Sequence, residues 1–223
     1  MIGFPVSTEG EFPMSLAINK NGSTVCVLNG GAVNGVNCYS VDKTSGLIAK
    51  ANTLRSLGIS QTTPATGPPG SASHIIFNED ETKLIAAVKG TPPTPGFLAV
   101  WDIDQADGSL SEEYTHVTPA SGGLLPFSLT VIPGQNAIFS ADPGLGFDIY
   151  DFNDTSIASA QAGQNVTAGG ESSANAVSGQ NAICWSSRSE KTGNFYLTDA
   201  GASMVTEVNV GAGLKPTIVR VHF

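Results

Sequence analysis

Short apolar runs recur along the chain, each followed by a turn and a second apolar run. The first runs read Ser15-Leu16-Ala17-Ile18-Asn19, His74-Ile75-Ile76-Phe77-Asn78, Ser128-Leu129-Thr130-Val131-Ile132 and Ala182-Ile183-Cys184-Trp185-Ser186. Their last residues, Asn19, Asn78, Ile132 and Ser186, are spaced by 59, 54 and 54 positions. Turns follow at residues 20–22, 79–81 and 133–135, with a longer one running to Gly193. The second runs, residues 24–28, 84–88, 137–141 and 195–198, are nearly all apolar. That is the pattern of a strand covered on both faces. A glycine-bearing loop comes next. A third strand then ends at or near an acid or amide: Asp42, Asp102, Asp151 or Asn209. Most units close with a weaker outer strand, such as 47–50 or 217–221.

Strand, turn, strand, loop, strand, turn, strand describes one four-stranded antiparallel blade that buries both faces against its neighbours. The pattern predicts an all-β chain, a partial or small β-propeller of about four such blades in a single domain, 1–223. The units run over roughly 14–55, 74–118, 127–168 and 181–223. A β-sandwich also spaces its strands evenly, but gives no reason for a four-strand repeat. Helical periodicity is absent. Two long loops break the rhythm: 60–73, rich in Thr, Pro and Gly, and 90–96, with Pro92-Pro93-Thr94-Pro95. Loops of this length are either functional or crossovers between blades, and 60–73 reads as a crossover.

Charge narrows the partners. Lys and Arg number 10 against 19 Asp and Glu, giving a net charge of −9 with no basic run. Such a surface repels phosphate backbones, so neither nucleic acid nor an anionic membrane is expected as a partner. No apolar stretch is long enough to span a bilayer. Residues 1–6 have neither the basic nor the apolar region of a signal peptide. Three glycosylation sequons nevertheless begin at Asn21, Asn153 and Asn165, which points to a secreted lineage. Of the three cysteines, Cys26 and Cys38 fall on two strands of one hairpin, where they either pair or stay as buried thiols. Cys184 is left over. No Cys/His spacing fits a zinc site, so no metal is expected.

The segments 10–19, 26–31 (Cys-Val-Leu-Asn-Gly-Gly) and 192–199 (Thr-Gly-Asn-Phe-Tyr-Leu-Thr-Asp) resemble secreted fungal proteins of the lactonase-like seven-bladed propeller family. That family includes 6-phosphogluconolactonases and carboxymuconate cyclases. The resemblance runs over nearly the whole chain and implies an extracellular protein. Family members have seven blades where this chain offers about four. Residues 1–5 are similar to the outer strand of a missing preceding blade. An open array exposes apolar end faces at roughly 25 cal/mol per Å², so capping or a homo-oligomer covering the end blades is expected. Size and fungal character are also similar to the small pigment-carrying chromoproteins of mushroom fruiting bodies, one of them pink.

His74 opens the innermost strand of unit two, and innermost strands line a propeller's channel. The cyclases carry a His in a similar strand, which implies acid–base chemistry here. The alternative is a histidine bonded to neighbouring backbone. The resemblance also places a cyclase Arg near Phe127 and a carboxylate near Asp142. Phenylalanine cannot bind a carboxylate as arginine does, so an anion-binding wall becomes an apolar one. His74, Phe127 and Trp185 then suit a flat aromatic ligand, with Lys89 and Asp142 as polar anchors. Trp185 is otherwise packing between blades. Residues 102–108 look like a calcium loop but have the wrong spacing. Asp107-Gly108 reads as a hairpin turn joining two outer strands. The expectation is a small-molecule-binding protein holding an aromatic or pigment-like chromophore. The alternatives are a lactonase or cyclase-like enzyme using His74 and Asp142, or a degenerate secreted interaction protein.

Overall fold

Two asparagines close the first turns of the first two units in the same way. In the computed structural model, which describes residues 2–222, Asn19 Oδ1 accepts the Thr24 N–H and Asn78 Oδ1 accepts the Lys83 N–H, both at 2.8 Å. Each side chain replaces a backbone partner at the turn, which fixes the register of the strands that follow.

The strands form four sheets. The first holds β1 (Pro13–Ile18), β2 (Thr24–Asn29), β3 (Gly35–Asp42) and β4 (Gly46–Ala49), with the short β5 (Arg55–Ser56) also on β3. The second holds β6 (Ala72–Phe77), β7 (Lys83–Val88), β8 (Phe97–Asp102) and β9 (Thr115–Thr118). The third begins with β10 (Leu129–Ile132), β11 (Ala137–Asp142) and β12 (Gly146–Asp151). A one-turn helix (Thr155–Ala158), β13 (Asn165–Thr167) and β14 (Ser173–Ala176) follow. The fourth sheet holds β15 (Ile183–Arg188), β16 (Phe195–Asp199), β17 (Met204–Val210) and β18 (Pro216–His222).

Alternation along the second strands explains their double burial. Leu84, Ala86 and Val88 of β7 join a core with Ala17, Cys26, Leu28 and Cys38 of blade one. The intervening Ile85 and Ala87 join a core with Leu129, Ile138 and Tyr150 of blade three. Likewise Ile138 of β11 faces blade two, while Phe139 faces blade four and stacks on Phe195 at 4.6 Å. Packing therefore runs one on two, two on three and three on four. Among the described residues no apolar core joins the fourth blade to the first, so the blades form an arc.

Two expected boundaries move. Residues 165–167 do not close blade three. As β13 they pair in parallel with β9 at the outer edge of blade two, Val166 opposite Val117. The outer strand of blade three is β14 instead. The helix supplies the reason: Ile157 is buried in the core between blades two and three, and draws the following segment across. Residues 2–5 form no strand, and Met1 lies outside the described residues. The segment crosses the face of blade one turned away from blade two. There Tyr39 Oη donates to Ser7 O at 2.6 Å, Asn29 Nδ2 to Thr8 O at 3.1 Å and Glu11 N–H to Val33 O at 2.9 Å. Gly46 (φ 83°) turns the β3–β4 hairpin so close beneath this strap that a Cβ would lie 2.6 Å from Ile2 O. The far face of blade four is polar instead. Glu207 Oε1 accepts from Tyr196 Oη at 2.9 Å and Asn194 Nδ2 at 2.7 Å. Blade one is thus covered by the strap, and blade four presents polar groups. The three sequon asparagines, Asn21, Asn153 and Asn165, are exposed.

Cys26 and Cys38 stand directly opposite in the β2–β3 register and form a disulfide, while Cys184 is free. A bridge across a sequence separation of 12 constrains the unfolded chain by about 2–3 kcal/mol. The Cys26→Ser/Cys38→Ser double variant is expected to lose that much in urea unfolding. An unchanged midpoint would mean the bridge adds nothing.

A carboxyl pair lies at the boundary of blades two and three. Asp142, fully buried at the end of β11, accepts the Leu124 and Gly144 N–H groups, both at 2.7 Å. Asp148 on β12 is also fully buried, and neither of its oxygens has a protein partner; nor does Tyr150 Oη. Burial first, then the neighbouring Asp142 carboxylate, raises Asp148 well above the ordinary carboxylate range. The folded state therefore holds this proton more tightly than the unfolded one. Its stabilisation is complete below about pH 3.9 and declines with rising pH until the folded pKa is passed. Asp148→Asn is expected to flatten that decline and to raise stability at neutral pH. Unfolding curves recorded from pH 4 to 9 test this, and an unchanged slope would refute it.

Candidate functional site

One device ties the inner strands together. Ser15, His74 and Ser128 occupy equivalent places, four residues before Asn19, Asn78 and Ile132. Each accepts a hydrogen bond from the inner strand of the next blade. Ser15 Oγ takes the Ile75 N–H at 3.3 Å, His74 Nδ1 the Leu129 N–H at 2.9 Å, and Ser128 Oγ the Ser186 N–H at 2.8 Å. An imidazole here does the work of a serine, but it has a second nitrogen to spare.

That bond fixes the chemistry of His74. Nδ1 accepts, so the ring proton sits on Nε2. Burial pushes the imidazole pKa down to about 4, and the ring is neutral at physiological pH. Among the described residues Nε2–H has no protein partner. The ring lines a groove of about 560 Å³ with Leu16, Ile18, Ile76, Leu129 and Val131. The backbone-bonded reading of His74 holds at Nδ1, and Nε2–H faces the groove.

Trp185 reaches His74 from blade four. β15 bulges between Ile183 and Trp185, and a bulge re-aims the side chain that follows it. Trp185 is 46% exposed, with its ring 4.9 Å from that of His74 and tilted by 52°. It is a half-open wall and does not plug the blades; Phe139 and Phe195 do that. Phe127 leads into β10, where its carbonyl accepts from Ser73 Oγ at 2.8 Å. Lys89 Nζ lies 4.3 Å from the centre of the Phe127 ring.

A second equivalent position explains Asp142. Asn29, Val88, Asp142 and Asp199 each end the second strand of their blade, and Lys89 follows Val88. Asp199 accepts the Asn181, Ala182, Gly201 and Ala202 N–H groups at 2.7–2.9 Å, clamping the incoming crossover to the blade. Asp142 makes the same kind of clamp in blade three. Both its oxygens are held by backbone and the residue is fully buried. Lys89 donates instead to Ala72 O at 2.9 Å and is 4% exposed. Burial pushes its ammonium pKa down to about 8.

The structure pairs His74 with Trp185, and Lys89 with Phe127, with Cys184 near Lys89. Asp142 is a clamp beside Asp148, a residue that sequence reasoning passed over. Its signal was a lone acid inside the apolar run Phe147–Tyr150 of a doubly buried strand. The groove at His74 offers one fixed N–H donor with Trp185 beside it as an aromatic wall. It can seat a flat carbonyl compound and polarise its oxygen.

No protein-family model matches the chain, and no curated protein does. Solved structures do. The periplasmic gluconolactonase PpgL of Pseudomonas aeruginosa superposes with a TM-score of 0.69 at 16% identity, over 94% of this chain and 57% of that one. A Bacteroides uniformis protein provisionally described as a 6-phosphogluconolactonase gives 0.66 at 12% identity, over 94% and 56%. A protein of unknown function from Desulfotomaculum acetoxidans gives 0.61 at 18%, over 94% and 55%. The chain has the fold of a lactonase-like β-propeller, over little more than half the length of these proteins.

Proposed function

We propose that the concave face binds a small cyclic ester and promotes its hydrolysis. The observation that carries this reading is the neutral His74, its tautomer fixed by Leu129 and its Nε2–H left for a ligand. A donor in that state suits the carbonyl oxygen of a lactone, and the bond strengthens as negative charge develops there during attack by water. Trp185, half open beside His74, flanks the bound ring. Solvent takes the proton from the attacking water. The likeness of fold to a gluconolactonase supports the choice of substrate class.

A second reading is favoured by Phe127. The family resemblance places an arginine near this position, and an apolar wall there suits an aromatic or pigment-like molecule held without turnover. The two readings separate in one set of assays. Release of acid from a panel of aldonolactones is expected to fall by roughly 10²-fold in kcat/KM for His74→Ala, the usual cost of removing one such donor. Trp185→Ala is expected to raise KM. A folded wild type no faster than buffer would end the lactone reading. Visible absorbance, with a small molecule released on denaturation, would then establish the second.

A further inference from the structure

We propose that the His74 groove selects lactones carrying an aliphatic side chain of medium length over polyhydroxylated sugar lactones. This names the substrate class of the hydrolytic reading above and rests on it.

The first argument is the course of the groove. It follows three inner strands that pack side by side, Leu16 to Ile18 of β1, His74 to Phe77 of β6 and Leu129 to Val131 of β10. His74 stands at one end of the β6 wall, and the turns with Lys20, Glu79 and Pro133 stand at the other. From His74 to Phe77 a strand spans about 10 Å. An extended hydrocarbon advances by about 1.25 Å per carbon–carbon bond, so a chain anchored at His74 reaches the turns after about eight carbons. The walls along that path are apolar and open. Leu16 and Ile18 are 57% and 58% exposed, and Ile76 and Val131 are half-buried. Such surface gains by being covered with apolar matter.

The second argument is the state of the groove's polar side chains. Besides His74 these are Lys20, Asn78, Glu79, Glu81 and Thr130, and each is already engaged. Lys20 Nζ donates to Glu79 O, and Glu81 Oε1 accepts the Lys20 N–H. Asn78 Oδ1 holds the Lys83 N–H, and its Nδ2 donates to Asp80 at 2.7 Å. Both Glu79 oxygens accept the Gly134 N–H, at 2.8 and 2.9 Å. Thr130 Oγ1 is paired with Ser186 Oγ at 2.9 Å. The hydroxyls of a sugar ring thus meet Leu129, Ile76 and Val131, and each one left unpaired costs roughly tenfold in affinity. One free N–H matches one carbonyl, and an alkyl lactone asks for no more.

The carbonyl oxygen accepts from His74 Nε2–H, with Trp185 beside the ring. Water bonds to the carbonyl carbon, the ring carbon–oxygen bond breaks, and the freed oxygen takes up a proton, giving a hydroxy acid. The side chain lies along Ile76, Val131 and Ile18 towards Phe77, and carbons beyond that point meet the charged turn.

The test compares γ-lactones from γ-butyrolactone to γ-dodecalactone, in two-carbon steps, with glucono-δ-lactone. Acid release and titration calorimetry are both measured on the intact chain. kcat/KM and affinity are expected to rise roughly two- to fourfold per added methylene, with a smaller gain in the last step. γ-Decalactone is expected to exceed glucono-δ-lactone at least about tenfold in kcat/KM. Ile18→Asp, at an exposed position, is expected to flatten the rise in both measurements with the circular dichroism spectrum unchanged. A flat series, or a preference for glucono-δ-lactone, would overturn the proposal and leave hydrolysis standing. Affinity that grows with chain length, without turnover of any lactone, would uphold the selectivity of the groove and remove the hydrolytic reading alone. Neither turnover nor a chain-length effect on binding would overturn both.

Discussion

Every sheet here must bury two faces, and a strand can meet that demand only by sending alternate side chains to opposite neighbours. β7 and β11 do this. The requirement sets the composition of the chain, with its apolar second strands and low charge. It also makes the blades interdependent, because no blade owns a core of its own. At the two ends the demand lapses, and the chain answers it differently at each. Blade one lies beneath the strap at Tyr39, and blade four has given its outer face over to Tyr196, Glu207 and Asn194.

The same logic produces the site. Inner strands are tied across blades by a side-chain acceptor at one repeat position, and serine suffices twice. Histidine in that place keeps the tie and adds a donor. Chemistry has entered at a position where the repeat already holds the backbone still, which gives the group a fixed direction at no extra cost in order.

Much of this was legible in the sequence, because burial leaves a periodic trace. The strand order, the turns and the inner-strand place of His74 follow from repeat position. The exceptions have local causes. Asn165–Thr167 is too short to announce its partner, and the buried Ile157 that redirects it lies in a single helical turn. The bulge that turns Trp185 outward leaves no mark in composition. Asp142 reads as an available carboxylate until the backbone groups around it are placed. The first segment is held through its own backbone carbonyls, Ser7 O and Thr8 O, which accept from Tyr39 and Asn29 and carry no side-chain code.

The two tryptophans divide the molecule optically. Trp101 is fully enclosed in the core between blades one and two, while Trp185 is half open beside an imidazole. A collisional quencher in water reaches the second and not the first. One emission band thus reports the integrity of the arc and the other the occupancy of its concave face, and the chain carries separate gauges of folding and binding without a label.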